Sequence, residues 1–413
     1  MRVATSCYIV RYTNGDPRKI PLRFLVRFYR DIGEDQNAGS DAGNSSRLLV
    51  NLQVLRALAA LSVVVAHTLH ENEALAVLTG RVAVDGSAWN LGFGVDIFFV
   101  LSGFIMTHTA ASEFGRSGAP LRFFLRRCAR VIPLYWLLTS MMLIGALAAP
   151  SLLSVPIGSV SHVLASYFFI PSGRGVDEIR PVLALGWTLN YEMLFYVFFA
   201  AALLLPLRLG VIWLSVLMVG MALAGRLVDA GQVQIAFWTS PIILEFLFGV
   251  HVALIFRSGV RIGGAAALGL MVIGLFGFAH VSSPWNDASL PQFLRSGLPA
   301  ALFVLAAAIG PVLPRKKTVL WGVALGDASY SLYLAHPFIL RPMRTIWVKA
   351  IGGALPPGLF VVCATFVAVM FAVALFRYVE KPLTSRVQKI VLGTAQPKRI
   401  ANVTLAAADT EQA

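Results

Sequence analysis

Long apolar stretches recur along the chain, separated by shorter polar segments. Ten of them approach or reach the ~20 residues that a helix needs to cross a bilayer. They fall near residues 50–69, 90–111, 131–149, 185–205, 209–228, 237–256, 263–281, 294–313, 323–345 and 355–377. A shorter apolar run near 160–171 is below spanning length and reads as an interfacial or re-entrant piece. No internal repeat relates one half of the chain to the other. The pattern predicts an all-α integral membrane protein with about ten transmembrane helices surrounding a central cavity. It predicts one continuous membrane domain over residues 48–385, between an N-terminal tail, 1–47, and a C-terminal tail, 386–413.

Composition agrees with this. Hydrophobic residues make up 57% of the 413 positions and charged residues only 13%. Soluble domains carry about 25% charge, so a soluble globular class is excluded. A net charge of +14 would suit a nucleic-acid binder. On an apolar chain, cytoplasmic loops rich in Lys and Arg explain it more simply, and no nucleic-acid partner is expected. With the N-terminus inside, the second loop Ser112–Arg130 is cytoplasmic and carries Arg116, Arg122, Arg126, Arg127 and Arg130. Arg208, Arg257 with Arg261, Arg315-Lys316-Lys317 and the tail residues Lys381, Arg386, Lys389, Lys398 and Arg399 fall on the same side. The outer segment 341–354, with Arg341, Arg344 and Lys349, runs against the rule locally. The sum places both termini in the cytoplasm. Cys7, Cys128 and Cys363 are scattered, and no metal or disulfide spacing appears. Met1–Arg47 lacks the apolar core of a cleavable signal. Within it Lys19–Arg30 alternates basic and apolar residues and suits an anionic membrane surface, or is simply a poorly ordered tail.

Several spans carry polar groups that lipid does not tolerate. In Leu52–His67, Arg56 and His67 are eleven residues apart. That spacing returns them to nearly the same helix face, with roughly 16 Å between them in depth. His67 reads equally as a satisfied core histidine or as a catalytic imidazole. Gly92–Phe104, GFGVDIFFVLSGF, places Asp96, Gly103 and Thr107 on one stripe, where a small residue lets a neighbouring helix approach. Asp96 would orient an imidazole or make an internal hydrogen bond. In Arg126–Trp136, Arg127 and Arg130 share a face at a helix entrance, with Pro133 suiting the helix start. They form either a phosphate-binding pair or a topological anchor. In Gly186–Tyr196, Thr188, Glu192 and Tyr196 share a face. In Gly326–Pro337, Ser329, Tyr333 and His336 form a stripe, and Pro337 kinks the helix. Arg377–Leu383 reads as a membrane exit with Glu380 and Lys381 at the surface. Under the predicted topology His67, Asp96, Glu192 and His336 all lie in the outer half of the membrane, with the arginines gathered at the cytoplasmic mouth.

Taken in order, these pieces resemble the acyltransferase 3 family of integral membrane O-acyltransferases, closest to the bacterial branch that acetylates exopolysaccharides such as succinoglycan. The resemblance covers roughly residues 50–385. It rests on Arg56…His67, GVDIFFVLSGF, RRCAR, WTLNYEMLFY and SYSLYLAHP. It implies a bacterial inner-membrane enzyme that moves an acyl group, by default acetyl, from cytoplasmic acyl-CoA to a hydroxyl of a carbohydrate at or beyond the outer face. No metal is implied. Carried over residue by residue, His67 matches the essential histidine and Arg56 its basic companion. Arg127 and Arg130 match the arginine pair thought to hold the donor. Glu192 matches a functional glutamate and Asp96 the motif aspartate. The chemistry agrees: a neutral imidazole can take the proton of a sugar hydroxyl as it attacks a thioester carbonyl. The competing class is a transporter with a proton relay through His67, Asp96 and Glu192.

Overall fold

A computed structural model describes residues 40–86, 91–148, 158–173, 179–229, 231–281, 290–314 and 316–393. The expectations for Lys19–Arg30, Arg315, Lys398 and Arg399 lie outside the described residues. The chain divides into two units, Met1–Leu49 and Val50–Ala413. The packing and the site described below lie in the second.

The described residues form helices, with one isolated bridge between Gly173 and Ile179. In chain order they are α1 (Ser40–Thr79), α2 (Gly94–Ala110), α3 (Ala119–Ala148), α4 (Val160–Tyr167), α5 (Trp187–Ala202), α6 (Leu207–Ala224), α7 (Val233–Trp238) and α8 (Leu244–Arg257). There follow α9 (Gly264–Val281), α10 (Leu298–Ile309), α11 (Lys317–Asp327), α12 (Ser329–Ala335), α13 (Pro337–Ala350), α14 (Pro357–Leu375) and α15 (Lys381–Leu392). Among the described residues, six helical stretches are long and apolar enough to cross a membrane: Val50–Thr79, Leu91–Glu113, Ala119–Ala148, Leu207–Leu227, Val233–Arg257 and Pro357–Leu392. Each overlaps an expected span. Large apolar side chains such as Ile212, Val216, Val362 and Phe366 are exposed on them, as a lipid-facing surface requires.

Several boundaries differ from expectation. The first helix runs ten residues further, because Glu71 pairs with Arg341 and Arg344 and Asn72 donates to the Pro357 carbonyl, so neither ends it. The basic segment expected as a loop up to Arg130 is helical from Ala119, and the turn ends instead at Gly118, whose φ of +71° suits glycine. Arginine is a good helix former, and Phe123 and Ala129 on this segment bury one face. Pro133 therefore lies inside α3 rather than at its start. The expected span 323–345 is three helices, broken at Ala328 and at His336, where Pro337 opens α13. The short run near 160–171 holds the eight-residue α4, which is below spanning length.

Glycines set the tightest crossing. A Cβ on Gly103 of α2 would lie 2.0 Å from the Phe246 carbonyl oxygen, and one on Gly249 of α8 would lie 1.9 Å from that of Val100. Only hydrogen at both positions lets α2 and α8 touch backbone to backbone. Phe246 then packs on Phe99 of α2 and Phe195 of α5, with ring centres 4.7 and 4.5 Å apart. Gly94 lets α2 approach α1 at Ala59, and Gly326 lets α11 approach α1 at Gln53. Thus α1 and α2, which carry Arg56, His67 and Asp96, are held by backbone contact on both sides.

Candidate active site

Arg56, Arg127, Arg130 and Glu192 line one cavity, with about 120 Å³ of room for water centres. Three helices bring them together, α1, α3 and α5, and α2 and α12 complete the lining. Phe98, Phe99, Leu101, Ile105 and Met106 supply apolar walls, and Ser102, Thr188, Tyr196, Ser329, Tyr330 and Tyr333 supply hydroxyls.

The arginines are pre-positioned. Arg56 donates to Ser329 Oγ at 2.9 Å and to Gln53 Oε1 at 3.3 Å, and Gln53 in turn donates to Asp327 at 2.7 Å. Its charged neighbours are Arg130, Asp327, Glu380 and Glu192. Arg127 lies over the Phe123 ring at 5.5 Å and reaches Thr109 Oγ1 at 3.5 Å. Guanidinium groups gathered on one wall give planar, forked donors that match phosphate or carboxylate oxygens. Glu192 is held from two sides: Tyr196 donates to its Oε1 at 2.5 Å and Ser102 at 3.1 Å. The Thr188–Glu192–Tyr196 stripe expected on one helix face is therefore the face that lines the cavity. Thr188 also shares a hydrogen bond with Tyr333 at 3.0 Å, closing α5 onto α12.

His67 and Asp96 do not line this cavity. His67 is half-buried on α1, and its ring centre lies 5.1 Å from that of His336, with 37° between the planes. Tyr333, one turn before His336, and Phe98, packed edge-on against Tyr333, are cavity residues, so the histidine pair stands behind the cavity wall. Asp96 is buried where α2 meets α8. It accepts from Gln292 at 3.1 Å and lies beside the carboxyl group of Glu245. Its partners do not include His67. Among the described residues, no group of side chains is arranged to hold a metal ion.

Two buried glutamates, Glu245 and Glu380, and the exposed Gln292 belong to these polar contacts without having been read from sequence in that role. Glu245 is fully buried in α8, and an intramembrane glutamate there carries the same signal that flagged Glu192. Gln292 had no signal: it is an exposed residue next to Pro291 whose side chain reaches Asp96. Glu380, expected at the surface, is 5% exposed and accepts from Ser331 at 2.6 Å. The π-helical turn Phe376–Glu380 between α14 and α15 adds a residue to the ladder and turns Glu380 inward.

A sequence model of the acyltransferase domain family, acyltransferase 3, matches residues 49–377. The chain is 34% identical over 310 residues to the exopolysaccharide production protein ExoZ of Rhizobium meliloti, covering 73% of this chain and 93% of that one. It is 24% identical over 375 residues to the O-acetyltransferase OatA of Staphylococcus aureus, covering 83% of this chain and 58% of that one. It is 27% identical over 274 residues to the acyltransferase MdmB of Streptomyces mycarofaciens, covering 60% and 67%. No solved structure matches.

Proposed function

The chain belongs to the acyltransferase 3 family and is an O-acyltransferase; on that premise we propose that it moves an acetyl group from cytoplasmic acetyl-CoA to a hydroxyl of an exported or cell-surface carbohydrate. The observation that carries this reading is the convergence of Arg56, Arg127 and Arg130 from two helices onto one cavity that also holds Glu192. Coenzyme A presents several phosphate groups on a slender thioester arm. The three guanidinium groups suit the phosphates, and the apolar wall of Phe98, Phe99, Leu101, Ile105 and Met106 suits the arm. The relatives named for exopolysaccharide production and for O-acetylation support a carbohydrate acceptor.

His67 is the general base. The acceptor hydroxyl oxygen attacks the thioester carbonyl and its proton passes to the imidazole. A C–O bond forms, the C–S bond breaks, and the departing thiolate takes the proton back from His67. Glu192 holds Tyr196 and Ser102 in the cavity, where they meet the thioester or the sugar. Asp96 acts through α2, whose Phe98, Phe99 and Ser102 line the cavity. The reaction uses no metal.

The protein works in the bacterial inner membrane with ten spans around the central cavity, a membrane domain over 48–385 and both tails in the cytoplasm. The four spans beyond the six long ones are α5, α9, α10 with its preceding turn, and the broken segment α11–α13. The basic residues that ran against this topology include Arg341 and Arg344, which both pair with Glu71 at 3.5 and 2.6 Å.

The test is acyl transfer by the purified protein in nanodiscs, supplied with acetyl-CoA and a set of glycans. Thiol release and an acetylated glycan by mass spectrometry are expected for the wild type. Both are expected to fall by 10²- to 10⁴-fold in His67→Ala, with donor binding retained. Solute flux without thiol release would reject the reading in favour of a transporter.

A further inference from the structure

Imidazole bases need a partner that holds one ring nitrogen protonated so that the other presents its lone pair. The two carboxylates nearest in sequence logic are engaged elsewhere. Asp96 accepts from Gln292 beside Glu245, and Glu192 accepts from Tyr196 and Ser102. Among the described residues His67 makes no direct hydrogen bond, and the ring it meets is His336.

His336 is fully buried at the break between α12 and α13. Its Nδ1 lies 3.0 Å from the Leu332 carbonyl oxygen. A carbonyl only accepts, so Nδ1 carries the hydrogen and Nε2 of the neutral ring carries the lone pair. That Nε2 is buried and has no partner among the described residues. Buried polar atoms in native proteins are nearly always paired, so this one marks a place for a donor. At 5.1 Å between ring centres, a small rotation of the half-buried His67 ring brings two nitrogens to hydrogen-bond distance of ~3 Å. The Leu332 carbonyl also accepts the backbone N–H of His336 at 3.3 Å, so backbone and ring of His336 are held on one acceptor just before Pro337 opens α13.

We propose that His336 is a positioning residue for His67: its Nε2 accepts a hydrogen bond from the His67 ring N–H and fixes the tautomer whose other nitrogen faces the acceptor hydroxyl. The proposal rests on His67 being the base. When the hydroxyl proton passes to His67 and the C–O bond forms, the N–H···N bond becomes charge-assisted and strengthens. When the C–S bond breaks, the proton moves to the thiolate and His67 is neutral again. The other titratable or charged groups acting on His67 are His70 of α1, Arg180, and Arg341 of α13, which with Arg344 pairs Glu71. The ring that packs on His67 is that of His336, tilted by 37°.

Two substitutions separate this role from packing. In His336→Asn the amide still reaches the Leu332 carbonyl but nothing stands at the Nε2 position. In His336→Gln the amide reaches the Nε2 position. His336→Asn is expected to lower kcat by about 10- to 100-fold, with the KM for acetyl-CoA within about twofold, and His336→Gln to recover part of the loss. The acid limb of the kcat profile should move to lower pH in His336→Asn, because the lost bond is stronger in the imidazolium. A packing defect that admits water would move it to higher pH, since hydration favours the charged ring. A kcat within twofold of wild type, or an acid limb that stays or rises, overturns the proposal. Nitrogen-15 shifts of His67 give a reading that needs no turnover: one tautomer is expected in wild type and a mixture in His336→Asn. The same mixture in both also overturns it. A wild type that binds no donor and transfers nothing, yet shows one fixed tautomer, would discard the acyl-transfer reading and leave the histidine pairing standing.

Discussion

Gly103 of α2 faces Phe246 of α8 so closely that a methyl group on Gly103 would stand 2.0 Å from the Phe246 carbonyl oxygen. Gly249 stands in the reciprocal relation to Val100. Backbone meets backbone there, so no rotamer change can relieve an added atom. The crossing also sets where Asp96 meets Glu245, two turns before Gly103 on α2 and one turn before Gly249 on α8.

Gly103→Ala and Gly249→Ala should therefore each destabilise the fold by more than the ~1–3 kcal/mol typical of an overpacked core. Gly220→Ala, at an open position on α6, serves as the control and should be neutral or slightly stabilising. Thermal unfolding in detergent measures all three. Equal midpoints for the three variants would show that α2 and α8 separate at little cost.

The arginine wall predicts a split between binding and turnover. Arg127→Ala with Arg130→Ala should raise the acetyl-CoA KM at least tenfold and change kcat less. Lysine at both positions should restore only part of the affinity, because an ammonium lacks the planar fork. Initial rates at varied donor concentration, read beside direct donor binding, decide this. Unchanged donor affinity would assign the pair to topology alone.

Tyr196 and Glu192 predict a stability effect with a modest functional one. Tyr196→Phe removes the 2.5 Å donor to Glu192 and leaves Ser102 as the remaining one. A hydrogen bond contributes about 0.5–1.5 kcal/mol net, so the unfolding midpoint should fall accordingly. Glu192→Gln in the Tyr196→Phe background should cost little more, because the partners act as a pair.

Asp96 and Glu245 should be coupled. Asp96→Asn and Glu245→Gln each disturb a buried contact that the double variant partly rebuilds. A double-mutant cycle on stability is expected to give an interaction of about 0.5–3 kcal/mol. Additive effects would show that the two carboxyl groups are independent.

Much of the architecture could be read from the chain alone, for a simple physical reason. Hydrophobic length and basic-residue bias act locally, so apolar runs mark the helices, and helical spacing puts Thr188, Glu192 and Tyr196 on one face and Arg127 beside Arg130. Glycine next to a buried carboxylate in GVDIFFVLSGF announced a close helix crossing before the neighbour was known. Arginine runs misled the reading of α3, since a charged segment looks like a loop until a buried Phe123 gives it a second face.

Partner choice is not local, and only the tertiary structure decided it. Similar depth in the membrane made Asp96 look like a partner for His67, but depth is one coordinate of three. The packing of α2 on α8 turns Asp96 toward Glu245 and Gln292, and the break at His336 brings a second imidazole to His67 instead. Likewise Glu380 follows a membrane span and reads as a surface residue, yet one π-helical turn rotates it inward to Ser331. Sequence periodicity states which side of a helix a residue occupies; which helix stands on that side depends on how all the others pack.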